Sequence, residues 1–136
     1  MRAVAAGNSR MGIDDRNYHQ FVMTGKIASS GNVNALLNPN PNADVSLEGR
    51  DGCYLKMFSG CSSLTKAPEL PATTLVRDCY TGMFSGCSSL TQAPVLSVET
   101  LTDNCYRYMF ANCSALSQAP ELPATILAKD CYNSMF

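Results

Sequence analysis

The chain has 136 residues, with ten basic side chains set against eleven acidic ones, so it carries no broad field to attract nucleic acid or an anionic membrane surface. Its length suits one domain able to bury a core, and apolar runs such as residues 3–6 fall far short of the roughly 20 residues that cross a bilayer. Neither nucleic-acid binding nor membrane insertion is expected.

The start, Met1-Arg2-Ala3-Val4-Ala5-Ala6-Gly7-Asn8, turns polar before the apolar run of ~7 to 15 residues that a secretory signal needs, so export would require a signal outside this stretch. Asp14-Asp15, with Asp44, could hold a cation only loosely, and paired loop acids are ordinarily just solvated; no metal site is expected. The single histidine, His19, would need a nucleophile brought to it from elsewhere in the fold, and its ordinary reading is a surface or locally hydrogen-bonded side chain. Over residues 18–29, Phe21-Val22-Met23-Thr24 and Ile27-Ala28 read as strand. No phosphate-cradling pattern surrounds Gly25-Lys26. Beyond Gly31-Asn32-Val33-Asn34 and Ala35-Leu36-Leu37 comes the turn-rich Asn38-Pro39-Asn40-Pro41-Asn42, which resists regular structure. Residues 1–52 are therefore expected to form an N-terminal cap, because the open end of a stacked array must be sealed.

From residue 53 the chain repeats every 26 residues. Cys53, Cys79, Cys105 and Cys131 follow this step, as do Tyr54, Tyr80, Tyr106 and Tyr132; Met57, Met83, Met109 and Met135; Phe58, Phe84, Phe110 and Phe136; and Cys61, Cys87 and Cys113. A fixed period of this length marks a stacked architecture. Within a unit, Cys79, Tyr80, Met83, Phe84 and Cys87 fall at i, i+1, i+4, i+5 and i+8, and this spacing predicts a two-turn helix with one broad apolar face. Gly52, Asp78, Asn104 and Asp130 stand where N-caps belong, and Gly60, Gly86 and Asn112 where a left-handed C-terminal residue is expected.

Next comes Leu64-x-x-Ala67-Pro68-x-Leu70-Pro71, whose prolines favour extended backbone, so a short strand and a turn are expected. One such helix and strand cannot bury an apolar face alone, whereas stacked units merge their Leu, Phe and Met positions into one core. The expected fold is an α/β solenoid of strand, turn and short helix, with parallel strands on its concave side, over residues 53–136: about three units and part of a fourth. The sequence stops at Phe136 within a unit, so a parent protein is expected to carry more repeats.

The seven cysteines invite disulfide, metal or nucleophile readings. Positions eight apart on a helix are separated by ~12 Å, beyond the roughly 7 Å Cα limit of a disulfide unless the chain turns sharply before the second Cys. Equivalent positions on adjacent helices, about 8 to 10 Å apart, are also too distant. No Cys-x-x-Cys or Cys/His cluster suggests zinc. Buried, reduced thiols packed as small apolar groups are expected. Asn112-Cys113-Ser114 fits a glycosylation sequon, but Cys113 belongs to a core series. The tyrosines read as core-edge residues, with a solvent-facing aromatic row as the alternative.

The Met83-Phe84-x-x-Cys87-x-x-Leu90 block and the Ala-Pro-x-Leu-Pro-Ala-Thr-x-Leu stretch resemble the BspA-like branch of leucine-rich repeats found in bacterial surface proteins. The stretch from Phe21 through Gly31-Asn32 to Leu37 resembles the segment that precedes the first repeat in that family. The resemblance implies a right-handed solenoid at the cell surface, used in adhesion or in binding host or matrix ligands, with no catalytic residues and no cofactor.

Positions that vary between units are not dictated by packing and are the candidate ligand contacts: Lys66, Gln92 and Gln118 on the expected strand, and Glu69, Val95 and Glu121 after the proline. The resulting expectation is a non-enzymatic extracellular or cell-surface module for a protein or glycan ligand. The rivals are a structural spacer and an accessory repeat domain of a larger surface protein or hydrolase.

Overall fold

A computed structural model describes residues 12–14, 16–36 and 47–136. Asp15, Asp44 and the Asn/Pro-rich loop at 38–42 lie outside the described residues. Regular elements are few: strand β1 (Gly12–Asp14) pairs antiparallel with β2 (Asn17–Tyr18), β3 (Ile27–Ala28) pairs parallel with β4 (Leu64–Lys66), and a 3₁₀ helix spans Val33–Leu36. Most of the order lies in the bonding between consecutive 26-residue units.

The short helix expected in each unit is not formed; residues 77–86 and their equivalents are consecutive tight turns. Their amides alternate. Cys53, Leu55, Met57, Ser59 and Cys61 each donate to the carbonyl three residues back, whereas Gly52, Tyr54, Lys56, Phe58 and Gly60 donate across to Arg77, Cys79, Thr81, Met83 and Ser85 of the next unit. The same alternation runs from 78–87 onto 103–111 and from 104–113 onto 129–135.

A left-handed residue punctuates the turns at every fourth position: Gly52, Lys56 and Gly60, then Asp78, Gly82 and Gly86, then Asn104, Tyr108 and Asn112, then Asp130 and Ser134. An α-helix cannot pass through such residues, since it needs negative φ throughout. Gly60, Gly86 and Asn112 are left-handed, as their place in the sequence predicts. Gly52, Asp78, Asn104 and Asp130 are left-handed as well, in place of the extended backbone of an N-cap.

The apolar spacing i, i+1, i+4, i+5, i+8 is met as well by a period of four as by 3.6. Two adjacent inward residues per four-residue turn give Cys53-Tyr54 and Met57-Phe58, all buried. The turn chain prevails over the helix because half its amides are satisfied by the neighbouring unit, which also stacks the side chains. Phe21, Phe58, Phe84, Phe110 and Phe136 form one ladder with centroids 5.2, 5.6, 5.8 and 5.8 Å apart. Tyr54, Tyr80, Tyr106 and Tyr132 form a second at 5.6, 5.9 and 5.9 Å. These tyrosines lie deeper than a core edge: Tyr54, Tyr80 and Tyr106 are at most 2% exposed. Offset stacking of this kind adds about 0.5–1.5 kcal/mol per pair beyond the area buried.

Residues 21–36 lie against the first unit. The amide of Phe21 donates to the Met57 carbonyl, as Phe58 does to Met83, and its ring stacks on Phe58. Ile27, Ser29 and Val33 donate to Ser63, Lys66 and Glu69. Asn34, only 3% exposed, accepts a 3.0 Å bond from the Tyr54 hydroxyl, closing the tyrosine ladder at that end. Of the strand expected from 21–24 and 27–28, only Ile27–Ala28 is strand.

Candidate binding surface

Two chemistries meet in each unit. On the turn arm, all seven cysteines are buried and none forms a disulfide. The thiols of Cys61, Cys87 and Cys113 donate to the carbonyls of Phe21, Phe58 and Phe84 in the preceding segment at 3.0, 3.1 and 3.1 Å. Burial pushes the Cys87 thiol up to about 12, and holds Cys105 and Cys113 at about 11. Desolvation likewise raises Cys61 and Cys79. The thiolate is the nucleophile and the metal ligand, so sulfurs held protonated this far above neutrality are inert. No group of three or more His, Cys, Asp or Glu positioned to hold a metal occurs among the described residues, and His19 is exposed. Burial also raises Tyr54, Tyr80 and Tyr106.

The second arm carries the six candidate contact positions. After β4 the chain meets Ala67-Pro68, then Ala93-Pro94 and Ala119-Pro120 one and two units on. Proline has no amide to give a ladder, and among the described residues pairing here consists of β4 and isolated parallel bridges, Lys66 with Gln92, Asn32 with Glu69 and Thr100 with Ile126. Thr91 reinforces the first, its amide and its hydroxyl both donating to the Thr65 carbonyl at 3.3 and 3.2 Å.

Lys66, Glu69, Gln92, Gln118, Val95 and Glu121 are all exposed. Four of them, Lys66, Glu69, Gln92 and Val95, line a single open groove of about 300 Å³ together with Pro68, Leu70 and Pro94. Gln118 and Glu121 lie outside it. Val95 is 81% exposed, a large aliphatic side chain that the core does not use. The groove is mostly apolar, with one cation and one anion three residues apart on the same row. Its prolines and Leu70 were missed by a search for variable positions, although the recurrence of Ala-Pro-x-Leu places them side by side.

Arg77 lies 3.8 Å from Asp51 and 3.6 Å from Asp78, with half or more of the Arg77 and Asp51 side chains exposed, an arrangement worth about 0–1 kcal/mol. No helix among the described residues is long and apolar enough to cross a membrane. Comparison of the chain with protein families, with characterised proteins and with solved structures found no match.

Proposed function

We propose that the chain is a non-enzymatic repeat module of the leucine-rich kind, extracellular or at the cell surface, whose variable strip binds a protein or glycan ligand on a host cell or matrix. The units stack right-handed, with the parallel row on the concave side. One observation carries the binding reading: four of the six candidate positions, Lys66, Glu69, Gln92 and Val95, share one groove, while the recurring Cys, Tyr, Met and Phe side chains are buried apart from Tyr132 and Phe136. A side chain that packing leaves free to change, gathered with others on an accessible concave face, is what a recognition surface requires. The raised thiols and the exposed, isolated His19 support a role without catalysis.

The test is solid-phase binding of the chain to immobilised fibronectin, laminin and mucin, beside the double variant Lys66→Glu, Gln92→Glu. Binding by the parent chain to one of these, lost in the variant at an unchanged melting temperature, is expected. Exposed substitutions of this kind alter stability by no more than about 0.5 kcal/mol. Absence of binding to all three, or equal binding by the variant, favours the structural spacer.

A further inference from the structure

We infer that the groove between the first two units takes an extended peptide by strand-like backbone pairing at Leu70 and Val95, in preference to a saccharide. This rests on the binding reading above and names the class of ligand.

The chain itself shows how this row is paired. Glu69 gives its amide to the Gly31 carbonyl at 2.9 Å and receives the Val33 amide on its own carbonyl at 3.1 Å, so the bridge residue Asn32, between the left-handed Gly31 and the start of the 3₁₀ helix at Val33, brings up partners for both its backbone groups. One unit further on, the matching pair of bonds would join Val95 N–H to the Pro68 carbonyl and Leu70 N–H to the Val95 carbonyl. Neither is made among the described residues. The parallel ladder that holds at Lys66 and Gln92 has lapsed three residues later, and the residues left without ladder bonds line the groove.

A strand continues an interrupted ladder because its amides and carbonyls alternate at the spacing the row already uses. The same lapse recurs at Glu121, whose bonds to the Pro94 carbonyl and the Leu96 amide are not made among the described residues. Side-chain chemistry points the same way. Val95 offers an exposed aliphatic side chain above a floor of the buried Pro68, Leu70 and Pro94, and Lys66 and Glu69 offer one charge of each sign, which suits a peptide without strong net charge. No aromatic side chain lines the groove, so a sugar ring has no platform on which to stack. The volume, about 300 Å³, lies at the lower end of the range for small-ligand sites, enough for a few residues of peptide.

The test is an amide-resolved NMR titration of the full chain with three probes: the capped pentapeptide acetyl-Val-Thr-Val-Thr-Val-amide, the same peptide N-methylated at alternate residues, and cellotetraose. The unmethylated peptide is expected to shift the Leu70 and Val95 amides with a Kd near or below about 1 mM, and the methylated one to bind at least tenfold more weakly. Val95→Pro, which removes the donor, and Val95→Lys, which keeps it but changes the side chain, serve as paired variants. Loss of binding in the first at an unchanged melting temperature, with retention in the second, assigns the contact to the backbone. The inference is overturned if the peptide leaves both amides unmoved, if methylation makes no difference, or if cellotetraose shifts the same amides. The last outcome leaves the module a binder of glycans, and the solid-phase assay decides that separately.

Discussion

The two arms of each unit teach different lessons about what a repeat must keep. On the turn arm, the left-handed residue every fourth position, the alternating amides and both ring ladders are carried from unit to unit with little change. On the proline arm, the parallel bridges fall at different places, and a Glu in two units is Val in the other. A misplaced side chain on the first arm would break contacts with units on both sides, whereas one at an exposed position of the second, such as Lys66, Gln92 or Val95, meets mainly solvent. Tolerance to change follows from that difference in packing.

The largest expected effect separating the arms is alkaline. Thiols held at about 11 to 12 in the folded chain ionise near about 8.5 once unfolded. Their raised values favour the protonated form in the fold, so their contribution is complete below about pH 8.5 and is lost as pH climbs toward 11 to 12. All three shifts act in the same direction, so together they lower the stability of the fold as pH rises above about 8.5. The melting temperature should hold from pH 6 to about 8.5 and fall steadily from there toward pH 11; a flat profile would mean that the thiols reach solvent.

Next in size is Phe84→Ala, which removes a ring stacked at 5.6 Å on Phe58 and at 5.8 Å on Phe110. A loss of ~3–5 kcal/mol is expected in denaturant unfolding, and a loss below about 1 kcal/mol would show that the ladder is not the core.

Smallest is Gly86→Ala. A Cβ there would meet only the Gly60 backbone at 3.5 Å, an ordinary contact, so the φ of +76° sets the cost, about 1–2 kcal/mol. The matching change on the other arm, at exposed Ser97, should stay within about 0.5 kcal/mol, and equal costs at the two sites would erase the distinction between the arms.

Much of this was legible in the residues. The 26-residue step located the Phe, Tyr, Met and Cys series, and those side chains are buried apart from Tyr132 and Phe136. The six variable positions are exposed, as residues not dictated by packing should be. Phe21 escaped the search because it precedes its counterpart Phe58 by 37 residues and not by 26, so no periodicity marks it.

Composition and spacing thus specified which side chains go inside and that unit lies on unit, because burial depends on side-chain type and a strict period leaves few ways to bury it. They left the conformation of each turn arm open, since pairs repeating at four residues suit either a helix or a chain of turns. Tertiary contact decided it. The cross-unit bonds from Gly52, Tyr54, Lys56, Phe58 and Gly60 exist only when a second unit is in place, and they satisfy amides that a helix would have bonded within itself. The groove has the same origin: it forms where two neighbouring rows stop pairing, a property of their relative position that neither row carries alone.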